Sequence, residues 1–521
     1  MISRSSPLLN AVGETKITTQ FRMNREPASM AGTLSSKTLQ AVSWSFIESV
    51  SIQGVQFGVG IVLARLLLPE EFGLVGMLTI FITLAQAFLS SGFGVALIQK
   101  QDATTMDTCS VFYFNIVLGA AMTGLLWVAA PWIAAFYDRP ILIPLTRALS
   151  LTMFIGSFGL IQIVLLTKQI NFKTQTHVSL IASLLSGALG IGMAVKGFGV
   201  WSLAVQQISA TFFRTVLLWF LNPWRPALLF SFHSLRKMFS FGSRVLASAL
   251  LNEVFNNIYF LVIGKLFSAT DLGFYTRAKS LEELPSRTMS NVVARVTFPV
   301  FSAIQGDRVR LKRGLKKALT TLVLVNFPMT IGFAVIARPL VLFLFTEKWA
   351  VSIPYLQLLC VAGLSYPLHL INLNVLQAIG RSDLYLRLEI IKRVLTVITI
   401  AITWQWGISG LIYGIIGLSL FSYYLNSYYT GSLVDYPILE QLRDLSPYLL
   451  ASLLMGLGVY AAGRVPFPNP GSMLLVQVPL GIVIYVCLCR MFRLQAFTEL
   501  WQSGRGKIAV LRTQRLLREK I

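Results

Sequence analysis

Basic side chains interrupt the long apolar runs of this chain more often than any other ionisable type. Arg147, Arg214, Arg244, Arg277, Lys279, Arg287, Arg295, Arg387, Lys392 and Arg393 all fall within or beside them. A charge at the centre of a bilayer costs about 2.5 to 3.5 kcal/mol on insertion scales, so charges placed there should face protein or water. Guanidinium groups present several donors in a planar fork that matches phosphate oxygens. The basic surplus therefore suits an anionic ligand, and a diphosphate would use it well. Two acids sit at comparable depth. Glu48 lies near Gln53 and Gln56, and Glu253 lies near Arg244, Asn256 and Asn257. These polar stripes read as walls of a hydrated cavity, or alternatively as acids that pair with arginines to hold two halves together.

Bond-breaking chemistry finds no support in the residue types. The histidines are His177, His233 and His369, and there is no HExxH, nucleophile elbow or GxxxxGK[ST] sequence. Cys109, Cys360, Cys487 and Cys489 lie in apolar surroundings without histidines at metal spacing, so they read as small buried residues. No metal and no cofactor is expected. A coupling ion or the membrane potential remains open as an energy source.

The elements that must position these charges are membrane helices. Hydrophobic residues make up 55% of the 521 and charged ones 12%, about half the usual soluble share of roughly 25%. So little charge cannot coat a soluble domain of this size. At about 20 apolar residues per crossing, fourteen spans are predicted: 42–68, 73–98, 109–136, 141–166, 177–196, 197–220, 240–266, 273–302, 317–346, 351–379, 384–403, 407–430, 446–463 and 472–492. The eighth is the most polar. The net charge of +23 is spread over short linkers and the two ends, which makes it a topology signal and not a mark of nucleic-acid binding. Lys100, Lys168, Arg225, Arg236, the basic stretch from Arg308 to Lys317, Arg381 and Arg443 fall on one side, together with both termini. The opposite turns hold Arg139, Lys196, Lys348 and Arg464, apart from Arg65 and Lys265 at helix ends. Both termini are therefore expected in the cytoplasm. Trp132, Trp349, Trp404 and Trp406 at outer ends and Trp219, Trp224 and Trp501 at inner ends are expected as interfacial aromatics. The polar first forty residues lack the apolar core of a signal peptide and are expected as a cytoplasmic tail.

A repeat divides the spans. IVLARLLLPEEFG at 61–73 returns as LVIGKLFSATDLG at 261–273, with Arg65/Lys265, Glu71/Asp271 and Gly73/Gly273 in register. Six spans separate the copies, so both cross in the same direction. The expected fold is an all-α polytopic membrane protein of two six-helix lobes related by a pseudo-two-fold axis along the membrane normal, plus two C-terminal helices. Its divisions are a cytoplasmic tail at 1–40, a first lobe at 41–220, a cytoplasmic linker at 221–239, a second lobe at 240–430, spans 13 and 14 at 431–493, and a basic tail at 494–521. Within the last, 505–521 is expected as an interfacial helix.

With these motifs in view, the chain resembles the polysaccharide transporter family of the multidrug/oligosaccharidyl-lipid/polysaccharide flippase superfamily. The resemblance rests on AVSWSFIESVSIQGVQFGVGIVLARLLLPEEFG from Ala41, on VFYFNIVLGAAMTGLLWVAAPWIAAFYDRP at 111–140, on DLGFYTRAKSLEELPSRTMSNVVARVTFPVFSAIQGD at 271–307, and on GRSDLYLRLEI at 380–390. It runs from residue 37 to about 493 and lies nearest the lipopolysaccharide and colanic-acid-type exporters. It implies a flippase of the bacterial plasma membrane that carries undecaprenyl-diphosphate-linked oligosaccharide from the inner to the outer leaflet by alternating access. It carries over Arg65, Arg277 and Lys279 as parts of recurring motifs. The implied partners are the lipid-linked oligosaccharide and membrane lipids, with a polysaccharide polymerase and chain-length machinery as further candidates. A drug or metabolite exporter of the same superfamily, a non-transporting scaffold and an integral polymerase are the rivals. The basic surplus disfavours the first, and the shortness of every outer turn disfavours the last.

Overall fold

The computed structural model describes residues 51–90, 92–100 and 102–502, apart from the side chains of 237, 240, 241 and 287–296. Regular structure among them is helical throughout. The first lobe comprises Ser51–Leu66 (α1), Pro69–Ser90 (α2), Phe93–Gln99 (α3), Thr105–Tyr137 (α4), Leu142–Lys168 (α5), Phe172–Val195 (α6) and Val200–Leu221 (α7). The second comprises Phe232–Leu266 (α8), Ala269–Ala303 (α9), Arg308–Val335 (α10), Ala337–Phe345 (α11), Ser352–Gly363 (α12), Tyr366–Ala378 (α13), Ser382–Thr403 (α14) and Gly407–Val434 (α15). Ile438–Ala462 (α16) and Pro470–Met491 (α17) follow.

Within the described residues, every predicted span falls on helix, with three refinements; 42–50 of the first span lie outside them. The second span breaks around Gly92 into α2 and α3, the ninth after Val335 into α10 and α11, and the tenth at α13, where Pro367 enters the first turn. A proline has no N–H to give to a preceding carbonyl and suits the first turn of a new helix, so the tenth break is written in the sequence. Helix α8 starts at Phe232, inside the segment expected to be linker. By length and hydropathy, eleven helical stretches among the described residues can cross a membrane, with α14 and α15 counted as one. The expected fourteen are not reached by that measure. The described part of α1 is short, and the α9 sequence is too charged to qualify.

The repeat acids have a local role. Thr104 and Asp107 open α4 with a capping box, and Ser268 and Asp271 do the same for α9. Glu71 accepts the Leu68 N–H at 2.6 Å at the corresponding place before α2. An acid at this position satisfies an orphan amide and complements the positive end of the helix dipole. The shared register of Glu71 and Asp271 thus fixes where two equivalent helices begin.

Helices α16 and α17 pack on the second lobe. Met455, Val459 and Leu474 meet Ile331 of α10. A ladder of Lys312 with Glu440 and Lys316 with Asp444, each at 2.8 Å, joins α10 to α16. Lys317 adds a bond to Glu499, whose carboxyl it holds below the usual range. Part of the basic stretch read as a topology signal therefore also fastens helices together. Because the Lys316 side chain is 41% exposed, Lys316→Ala is expected to lower stability by no more than about 1 kcal/mol. Thermal unfolding in detergent with and without added salt measures this.

Candidate functional site

At one end of the bundle the lobes are locked together. The α-carbon of Gly73 lies so close to the start of α9 that a Cβ there would stand 1.6 Å from the Ala269 carbonyl oxygen. A Cβ on Gly273 would stand 1.9 Å from that of Pro69. The contact is reciprocal at an offset of 200 residues, as a two-fold axis between α2 and α9 requires. One apolar core at this end draws on both lobes, including Leu63, Met77, Ile263, Leu272 and Val341. At its centre Trp349 is fully buried, with ring centroids 5.4 Å from Phe72 and 6.0 Å from Phe274 and Phe345. Its Nε1 donates to the Ala64 carbonyl at 2.8 Å. The expectation of an interfacial aromatic is corrected here. Trp349 is an interlobe plug, whereas Trp132 and Trp406 are exposed.

Arg65 and Lys265 make equivalent bonds in opposite directions. Arg65, on α1, donates through Nε to the Leu344 carbonyl at 2.8 Å and through Nη2 to that of Phe343, at the C-terminus of α11 in the second lobe. Lys265, on α8, donates to the Phe136 carbonyl at 2.6 Å, at the C-terminus of α4 in the first lobe. Each cation thus caps the negative end of a helix in the other lobe, and Lys348 returns a bond to the Arg65 carbonyl at 2.6 Å. Caps of this kind are each worth about 0.3 to 1 kcal/mol. Replacing both Arg65 and Lys265 by Gln is expected to raise opening of this end roughly tenfold. The readout is the thiol reactivity of a cysteine placed at the fully buried Ala64, and unchanged reactivity would remove both residues from the lock.

Away from the lock, the first lobe lines two adjoining, partly open cavities. One of about 300 Å³ is lined by Gln56, Gly60, Ser186, Gln206, Gln207 and Arg277 among others. A larger one of about 550 Å³ shares Gln56, Ser183 and Ala210 with it. It continues past Arg214 to Ile98, Thr167 and Leu218, near the ends of α3, α5 and α7 opposite the lock. No acid is among the described lining residues. Arg277 is the lining residue supplied by the second lobe. Its guanidinium carbon lies 3.9 Å from the Phe72 ring centroid and 5.8 Å from that of Phe345, and its Nε has no hydrogen-bond partner. Among the described residues no carboxylate pairs with it. A half-buried guanidinium held by aromatic faces keeps its donors available to an anion.

The remaining sequence candidates disperse. Lys279 is two residues from Arg277, which turns it about 200° around the helix. It binds the buried Glu282 at 2.7 Å inside the second lobe, where Ser286 also donates to that carboxylate. The structure therefore does not bring Arg277 and Lys279 together. Arg147 lies over the Trp127 ring at 5.3 Å on a shallow groove with Ile143 and Leu151, outside the chamber. Arg214 is in the chamber wall. Arg244 and Arg387 are exposed and line neither cavity. Glu253 accepts from Asn257 at 3.2 Å, and Asn257 also donates to Thr83 of α2, so the buried crossing residue is Asn257 while Asn256 is exposed. Glu48 and the side chains of Arg287 and Arg295 lie outside the described residues, as does 505–521. A second basic group gathers on α14. Lys392 and Arg393 share Glu389, and Arg393 also reaches Asn252 of α8 at 3.0 Å. Gln86, Gln206 and Gln207 also line the cavities, and no sequence spacing places them there, because they come from two different helices.

Known proteins share both sequence and fold with this chain. A family model described as polysaccharide biosynthesis protein matches residues 62–354. The teichuronic acid biosynthesis protein TuaB of Bacillus subtilis is 28% identical over 87% of this chain and 89% of its own length. The succinoglycan biosynthesis transport protein ExoT of Rhizobium meliloti is 26% identical over 92% of this chain and 98% of its own. Among solved structures, the lipid II flippase MurJ in an inward closed conformation superposes with a TM-score of 0.70 at 15% identity, covering 87% of this chain and 98% of that one.

Proposed function

From the premise that this chain belongs to the polysaccharide biosynthesis protein family, we propose that it is a flippase, and not an enzyme, that moves undecaprenyl-diphosphate-linked oligosaccharide from the inner to the outer leaflet of the bacterial plasma membrane. Arg277 carries the reading. It is an arginine without a described carboxylate partner, aimed into a chamber without described acids, at the place where the two lobes meet. A diphosphate stripped of water needs such a counter-charge, since an unpaired buried anion is prohibitively costly. The prenyl chain stays in lipid while the head crosses.

In this mechanism the locked end faces outward and the chamber takes the head from the cytoplasmic side. Diphosphate bound by Arg277 and sugar held by the first lobe would bridge the lobes. The lock at Gly73, Gly273 and Trp349 must then part, and the opposite end must close, for the head to leave. Both termini would be cytoplasmic. A drug exporter of the same fold would be better served by an acid in the chamber, where two arginines stand instead.

The experiment is reconstitution in proteoliposomes with a labelled prenyl-diphosphate oligosaccharide. Head groups should become accessible to an impermeant reagent on the far leaflet in a protein-dependent manner. Absence of transport for any such lipid by correctly folded protein would sink the proposal. Single-cysteine labelling of cells should modify position 138 and spare 236 and 308, which fixes the orientation independently.

A further inference from the structure

Four side-chain amides line the cavities of the first lobe without a side-chain hydrogen bond among the described residues. Gln56, Gln86, Gln206 and Gln207 line the joined cavities. No side-chain hydrogen bond ties any of these four amides to another described residue. They come from α1, α2 and α7, so the convergence is tertiary and is not a run of neighbours on one helix. An amide carries two donors and an acceptor, and among apolar helices those groups need partners from water or a ligand. Arginine is selective for anions, but an amide is not. Its mixed donor and acceptor edge matches the hydroxyl groups of a sugar ring, which also donate and accept. The serine and threonine lining, including Ser183, Ser186 and Thr211, extends the same uncharged polarity. At about 550 Å³ the larger cavity falls in the range of roughly 300 to 1,000 Å³ typical of small-ligand sites.

We propose that these four glutamines form a glycan subsite in the first lobe, distinct from the diphosphate contact of Arg277, and that they select the translocated head by its sugar hydroxyls. This deepens the flippase reading and rests on it. The head then has a fixed polarity, with its diphosphate toward the lock and its sugars extending toward the ends of α3, α5 and α7.

Two probes separate the subsites: phosphate-labelled prenyl-diphosphate oligosaccharide extracted from the cells that make the protein, and undecaprenyl diphosphate carrying no sugar. Binding of each to purified protein in nanodiscs is compared for the wild type, for Gln56→Leu with Gln207→Leu, and for Arg277→Gln. The double variant should bind the glycan-bearing lipid about tenfold more weakly, the scale of one or two lost neutral hydrogen bonds, and the bare diphosphate unchanged. Arg277→Gln should weaken both. Equal binding of the glycan-bearing lipid by wild type and double variant would overturn the subsite, as would an equal loss for both probes. The same two positions changed to Asn, which keep the amide chemistry, should recover part of the lost preference if the amides act on sugar. Failure of wild type to bind either lipid would overturn the flippase reading together with the subsite, whereas loss of the glycan preference alone leaves that reading standing.

Discussion

Arg277→Gln is expected to reduce the initial rate of lipid-linked sugar transport by about a hundredfold while leaving the folded protein as stable as before, or slightly more so. The first part follows from the energy of charge-assisted hydrogen bonds, about 1.5 to 3 kcal/mol each, with two available from a fork-shaped donor. The second follows from what the arginine lacks. A charge at membrane depth costs about 2.5 to 3.5 kcal/mol, and stacking on Phe72 at 3.9 Å returns about 0.5 to 2 of that. An arginine kept for structure would show the opposite pattern, with stability falling as the charge is removed. Arg277→Lys should fall between the two, because it keeps the charge and loses the fork. Transport in proteoliposomes at matched protein density, set beside the unfolding temperature, checks both parts. Wild-type transport by the Gln variant would take the residue out of the mechanism.

Gly73→Ala is expected to force the locked end apart. The added carbon would lie 1.6 Å from the Ala269 carbonyl oxygen, a backbone atom that no rotamer change can move. Overpacking typically costs about 1 to 3 kcal/mol, and a clash this deep between two helix backbones belongs at or beyond the upper end. The locked state should lose at least a hundredfold in relative population, and transport should fall because the cycle can no longer return to it. Gly273→Ala should behave alike, its Cβ meeting Pro69 at 1.9 Å. Gly54→Ala, with open space around it, is the control and should be neutral or mildly stabilising. Thiol reactivity of Ala64→Cys, in a background without the native cysteines, reports the opening. Unaltered reactivity in the Gly73 variant would show that this crossing does not hold the lobes.

The helices were legible in the sequence because apolar length alone marks them, and the repeat was legible because capping acids and a close-packed glycine tolerate few substitutes. Partners across helices were not. Arg277 and Lys279 looked like a pair because they are adjacent in a polar stretch, yet the helical turn sends one to the chamber and the other to Glu282. Asn256 and Asn257 divide in the same way, a 100° step separating the exposed residue from the buried one. Trp349 lies close to a helix end, where an aromatic belt is the natural expectation. Only the assembled lobes reveal that it is covered from several sides. Of the chamber amides, Gln56 stood out in the polar stripe beside Glu48, whereas Gln86, Gln206 and Gln207 did not. An uncharged glutamine gives no electrostatic reason to expect a ligand, and nothing in the sequence spacing relates one on α2 to those on α7.

The crossing of α2 and α9 also speaks of history. Position 73 meets 269 while 273 meets 69, and this exchange of roles is the mark of an isologous contact, the form adopted by two identical subunits about a dyad. A single ancestral polypeptide of six helices could have made the same crossing with its own copy. In such a homodimer every substitution struck both sides at once. Joining the two copies in one chain would release the halves from that tie. In this chain the two glycines are alike, whereas Arg65 and Lys265 differ in chemistry and Arg277 serves a chamber built by the other half.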